Sequence, residues 1–106
     1  MTEDGTIRLS QFQEFDPTRP MSKLLHDSEK SRVVLFCLEP GQEITPHTST
    51  SEVVFYGVDG KGTILLGEGE VELEPRAIVI CPPVLPHGIR AGERMIVLAV
   101  ITPRPE

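Results

Sequence analysis

The side chains best suited to chemistry in this sequence are two histidines forty residues apart, His47 and His87. Neutral imidazole is a good ligand for zinc, iron or nickel, and it also orients polar groups of small molecules. Two imidazoles alone fall short of the three or four protein donors of most divalent-metal sites. The pair therefore predicts a weakly held metal or a polar point in a binding pocket. Interior hydrogen-bonded histidines without either role are the structural alternative.

Three other residues near the histidines could supply a further donor. Ser49 is a weak ligand two positions after His47. Glu52 would reach the same site only if the turn after Ser49 were one residue shorter, since a slip of one residue exchanges the two faces of a strand. Cys81 precedes His87 by six residues and could act as a soft third ligand. We expect Glu52 to be a solvated acid and Cys81 to pack in the core.

Short apolar runs separated by Gly, Pro and Asp residues must position these side chains. This pattern, without a helical period, is typical of an all-β domain. Val53 and Phe55 alternate onto one face of such a run, and we expect both to line the pocket. The predicted strands cover residues 7–9, 22–26, 33–38, 44–47, 53–58, 62–66, 71–73, 78–81, 88–90 and 95–101.

Four of these runs are apolar on both faces, namely 33–38, 53–58, 78–81 and 95–101. Successive side chains of a strand point to opposite faces, so the outer faces of these strands need a cover. The N-terminal segment can cover a part, and a second subunit is the expected cover for the rest, because large exposed apolar patches are uncommon on monomers. The sequence therefore predicts a homodimer.

Length and charge restrict the remaining possibilities. The chain has 106 residues, which is one domain by length, and a formal net charge of −6. Such a charge disfavours nucleic acid and anionic membranes as partners. Residues 1–6 lack the pattern of an export signal, and Cys37 and Cys81 fit reduced thiols, so we expect a cytoplasmic protein.

Two segments resemble the paired motifs of the cupin superfamily. The first segment, residues 41–62, places His47 at the motif spacing after Gly41 and closes on Gly60. The second, residues 75–91, contains a Pro-rich loop that ends in Pro86-His87-Gly88. The resemblance implies a single all-β domain over residues 1–106, folded as an antiparallel jelly-roll barrel (a double-stranded β-helix). Independently, the two prolines of residues 102–106 predict a frayed tail.

The resemblance also implies a reduced site. The family's second histidine falls on Ser49 and its glutamate on Val53, so only His47 and His87 keep a ligand residue. Three hypotheses remain open. The first is a pocket around His47, Ser49, Val53, Phe55 and His87 that binds a small molecule, with or without a weakly held Zn, Fe, Mn or Ni ion. The second is a metal-dependent dioxygenase or isomerase acting on a small organic acid or sugar derivative. The third is a dimeric structural or regulatory module with a vestigial pocket.

Overall fold

The computed structural model describes residues 5–105. Residues 1–4, part of the segment judged to lack an export signal, and residue 106 of the tail lie outside the described residues. Nine strands form the described chain. They are β1 (Met21–Asp27), β2 (Arg32–Leu38), β3 (Glu43–His47), β4 (Glu52–Asp59), β5 (Gly62–Leu66), β6 (Gly69–Leu73), β7 (Ile78–Cys81), β8 (His87–Ala91) and β9 (Met95–Thr102).

The strands form two antiparallel sheets. One sheet has the order β1-β2-β9-β4-β7 and the other the order β3-β8-β5-β6. Consecutive strands such as β3 and β4 therefore cross from one sheet to the other, as in a jelly roll. The prediction of an all-β jelly-roll barrel is confirmed. No helix of the described residues is long and apolar enough to cross a membrane.

The prediction of a strand at residues 7–9 is wrong. The chain forms a short 3-10 helix there instead, Leu9–Gln11, closed by local bonds from the Gln11 and Phe12 amides to the carbonyls of Arg8 and Leu9. The physical reason is packing: Leu9 lies on the outer face of β2 and β9 together with Phe12 and Phe15, against side chains and not along a strand edge. Its apolar side chains are used for packing, and its backbone bonds close locally.

The main core lies between the two sheets. Its fully buried members include Leu38, Ile64, Leu73, Ile89 and Met95, which come from strands of both sheets. Alternation explains this composition, because each strand sends every second side chain inward.

A second, smaller core lies on the outer face of β2 and β9. Leu35, Cys37 and Ile96 are buried there. The N-terminal segment covers them with Leu9, Phe12 and Phe15. Arg94 stacks 3.6 Å above the ring of Phe15 and bonds Glu39, which ties this segment to the barrel. The segment therefore covers a part of the outer apolar surface, as the sequence led us to expect.

Candidate functional site

A β-bulge in β3 brings the two histidines face to face. Ile44 pairs with Ile89 across β3 and β8, but the next pair is His47 with His87, so β3 uses one residue more than β8 over this stretch. In regular pairing Pro46 would oppose His87, and His47 would point to the other side of the sheet. Pro46 lacks the N–H that the ladder needs, which suits it to a bulge. The bulge thus gives His47 the same face as His87.

Gly88 is the counterpart of this bulge on β8. A Cβ atom at position 88 would lie 2.5 Å from the carbonyl oxygen of Ile44 and 2.9 Å from the backbone nitrogen of Pro46. Only glycine allows β3 to approach this closely. The Pro-His-Gly sequence therefore has a structural use, since its glycine admits the strand that carries the other histidine.

The two imidazoles are in contact but differ in exposure. Their ring centroids are 4.7 Å apart, with an angle of 57° between the planes. His87 is only 3% exposed, whereas His47 is exposed at the mouth of the barrel. The Nδ1 atoms lie 3.4 Å from the Thr45 carbonyl oxygen for His47 and 3.3 Å from the Leu85 carbonyl oxygen for His87. Since a carbonyl only accepts, these contacts favour a proton on Nδ1 and leave Nε2 as an acceptor.

The protonation equilibrium of His87 favours the neutral ring. Burial lowers the pKa of His87 and is the strongest influence; the Leu85 carbonyl opposes it, and the neighbouring His47 adds to it. The pKa of His87 is therefore below its ordinary value of 6.5. At neutral pH this ring is an uncharged hydrogen-bond partner.

A cavity of about 550 Å³ opens above the histidines, between the ends of the two sheets. This volume falls in the range of about 300–1,000 Å³ that is typical of small-molecule sites. The four-stranded sheet contributes His47 and His87. The five-stranded sheet contributes a row of directly paired residues that crosses β2, β9 and β4: Arg32, Ile101 and Val53.

The floor of the cavity is apolar. Val53 is buried, and Phe55 meets the edge of the His87 ring with centroids 5.9 Å apart. Beneath His47 and His87 a hollow of about 30 Å³ is lined mainly by aliphatic and aromatic carbon, including Phe36, Phe55 and Ala99 in addition to Val53. A space of this size holds a methyl group or a single water molecule.

The rim consists of polar loop residues. Thr48, Ser49 and Thr50, between β3 and β4, line one side. The Ser49 Oγ accepts a bond from the Ser51 amide, and the Ser49 carbonyl accepts one from the Val84 amide at 2.7 Å. Val84 has a φ of 75°, a left-handed conformation that is unfavourable for a β-branched residue. The link to Ser49 thus holds a strained residue of the Pro-rich loop at the mouth.

Of the three residues considered as additional ligands, Ser49 lines the cavity, whereas Glu52 and Cys81 do not. Glu52 is exposed at the start of β4, on the opposite face from Val53, so its carboxylate points away from the cavity. Cys81 pairs with Val53 but is fully buried in the core and does not line the cavity. Burial raises the pKa of the Cys81 thiol to about 11, which keeps it protonated and a poor ligand.

The donor set at the cavity does not match that of a tightly held divalent metal. Among the described residues, no group of three or more His, Cys, Asp or Glu side chains could hold a metal ion. His47 and His87 supply two nitrogens, and Ser49 adds only a hydroxyl. Zinc, iron, manganese and nickel sites in proteins generally use three or four side-chain ligands.

The sequence reasoning missed the charged member of the site, Arg32. The strand containing it was expected to begin at Val33, so Arg32 was left outside. Extending the alternation of Val34, Phe36 and Leu38 by one step would have placed Arg32 on the inner face. The tail expected to fray also contributes: Pro105 lines the cavity, and Arg104 binds Asp27.

Comparisons with known proteins agree with this architecture. Among curated proteins, none matches this chain. The family model described as "Cupin domain" matches residues 34–101. An RmlC-like cupin protein from Desulfovibrio desulfuricans is similar at 32% identity, with 85% of this chain and 88% of that chain covered and a TM-score of 0.79.

Two further solved structures resemble nearly the whole chain. The TT1209 protein from Thermus thermophilus is 28% identical, with 94% of this chain and 98% of that chain covered and a TM-score of 0.87. A conserved protein with a double-stranded β-helix domain from Klebsiella pneumoniae is 23% identical, with 96% and 92% covered and a TM-score of 0.89; it shares the fold. Because the family model matches residues 34–101, well over half of the chain, the chain belongs to the cupin family.

Proposed function

We propose that this protein binds a small molecule in the cavity above His47 and His87. The observation that supports the proposal most directly is the contact between the two imidazoles at the base of an accessible cavity of about 550 Å³. The contacts at Nδ1 leave the Nε2 atoms as acceptors, so these atoms would orient a hydroxyl or another donor of the ligand. The apolar floor of Val53 and Phe55 would bind its carbon skeleton.

The proposal is tested by closing the cavity. A panel of small organic molecules is screened by ligand-observed NMR, and hits are followed through the ring signals of His47 and His87. Thr50→Trp places a large ring at the rim, and Glu68→Trp places the same ring in the exposed turn between β5 and β6. We expect hits that shift both histidines and are lost in the first variant only. A panel without hits, or equal binding by both variants, would refute the proposal.

We also propose that a second copy of this chain covers the outer face of β4 and β7. Ile78 and Ile80 are 58% and 52% exposed on the edge strand β7, and they pair with Tyr56 and Val54 on β4. The four positions Val54, Tyr56, Ile78 and Ile80 are uncharged, and the acid Glu52 lies at the end of the same face of β4. An uncharged patch is complementary to itself, which suits a two-fold interface in a chain of net charge −6.

The proposed interface is tested by sedimentation. The Ile78→Glu, Ile80→Glu double variant should change a dimer into a monomer, because it places two carboxylates in an apolar contact. Leu24→Glu is the matched control, since Leu24 is 59% exposed on β1 at the other edge of the sheet. A monomeric parent protein, or a double variant that stays dimeric, would contradict the interface.

A further inference from the structure

We infer that the ligand of this cavity is a small carboxylic acid whose carboxylate is bound by Arg32. The inference rests on the proposed binding function and specifies its ligand class. Arg32 begins β2 and pairs with Ile101 of β9, and both line the cavity. The guanidinium is thus set among the inward-facing residues at the end of the barrel that holds the two histidines.

The charges around the cavity support an anionic ligand. The chain has 16 Asp and Glu residues against 10 Lys and Arg, yet none of the described residues that line the cavity is acidic. They include one permanent cation, two imidazoles and three hydroxyls. A lining with one cation, several hydrogen-bond donors and no carboxylate favours an anion over a cation as ligand.

The partner of Arg32 is shared and does not neutralise the site. Asp27 bonds the Arg32 Nε at 3.4 Å and the Arg104 Nε at 2.8 Å, so two guanidinium groups face one carboxylate. Within residues 5–105, the Arg32 side chain bonds protein through Nε alone. Its two Nη groups remain to donate, and a guanidinium fork fits a carboxylate with two parallel bonds.

Geometry also sets the shape of the ligand. Arg32 and Val53 are separated by one strand, β9, so their backbones are about 10 Å apart at ordinary strand spacing. A carboxylate at Arg32 would place the adjoining carbon skeleton over Ile101 and Val53. The hydroxyls of Thr48 and Ser49 line the same cavity and can donate to a polar group of the ligand. A monocarboxylate with a compact apolar body fits Arg32 and this floor, and a hydroxyl on that body would donate to the imidazole acceptors of the proposed function.

The experiment compares acids with their uncharged amides. Isothermal titration calorimetry is performed with benzoate against benzamide and with hexanoate against hexanamide, so each pair differs in charge at nearly constant shape. We expect the acids to bind about tenfold more tightly or better, the ratio typical of a lost charge-assisted hydrogen bond. Amides that bind as tightly as their acids would overturn the carboxylate assignment while leaving small-molecule binding intact. Both proposals fail if none of the four compounds binds and the wider panel gives no hit. The carboxylate assignment alone fails if the four compounds do not bind but uncharged compounds of the panel do.

Arg32 is tested against Arg104, which shares its partner. Arg32→Gln and Arg104→Gln each remove one ion pair to Asp27, but only Arg32 lines the cavity. We expect the first variant to reduce acid affinity about tenfold or more and the second less than about threefold, since Arg104 acts only through the screened field. Arg32→Lys keeps the charge but not the fork, and it should retain part of the affinity. Equal losses in the two Gln variants, or no loss in either, would overturn the role of Arg32.

Discussion

Replacing Gly88 by alanine should move β3 and its His47 away from His87 on β8. The new Cβ would lie 2.5 Å from the Ile44 carbonyl oxygen, and ordinary contact begins at 3.4 Å, so β3 and β8 must move apart by about 0.9 Å at the bulge. The opposing atoms are backbone and cannot rotate away. Overpacking of this kind costs about 1–3 kcal/mol of the free energy of unfolding. The displaced strand is the one that ends in His47.

The assay is urea unfolding followed by far-ultraviolet circular dichroism, together with NMR of the histidine rings. Gly69→Ala is the matched control, because its Cβ would meet only the Leu66 carbonyl oxygen at 3.5 Å. That variant should be unchanged or more stable by about 0.4–1 kcal/mol, since alanine restricts the unfolded chain. If Gly88→Ala is as stable as the control and its His47 and His87 signals are unmoved, the account of the bulge is wrong.

Three further predictions concern single groups. The free energy of unfolding should fall as the pH is lowered below 6.5, because the unfolded state then binds a proton that folded His87, with its lowered pKa, does not bind. The urea midpoint is measured between about pH 5 and 7, and His87→Asn should make it depend less on pH. A variant whose midpoint changes with pH as much as that of the parent protein would refute this. Cys37 and Cys81 are buried free thiols, so neither should react with Ellman's reagent at pH 8 until the protein is unfolded in guanidinium, and rapid native labelling would contradict their burial. Val84→Asn should raise the free energy of unfolding by about 1 kcal/mol in urea titrations, because Asn tolerates a left-handed φ better than valine does. A loss of stability would contradict this and would show that the exposed Val84 side chain packs against the loop.

Much of the fold could be predicted because alternation and turn residues are local signals. The strands from Arg32–Leu38 to Met95–Thr102 all overlap predicted runs; Gly62–Leu66 and Ile78–Cys81 coincide with them, and the other ends differ by at most two residues. The strand predicted at residues 7–9 does not form because Leu9 packs on the outer face of β2 and β9 and the backbone closes into a 3-10 helix. That placement depends on contacts with strands distant in sequence, which no local pattern contains.

The site was predictable only in part, for a similar reason. His47 and His87 stand out by residue type, and the resemblance supplied their pairing. Arg32 did not stand out, since a charged residue at a strand end is ordinarily solvated, and its inward position follows from the register of β2 with β9. Pro46 was the overlooked local signal, because a proline inside a strand indicates an edge or a bulge.

The separation of core and rim has a consequence for the evolvability of this protein. The buried cluster of Leu38, Ile64, Leu73, Ile89 and Met95 is complete below the cavity, and the rim at Thr48–Thr50 and Val84 contributes nothing to it. Substitutions at the rim can therefore change which compounds are accepted while leaving folding intact. We therefore expect that a new specificity can arise through rim substitutions that each cost little stability, since surface changes usually stay within about 0.5 kcal/mol.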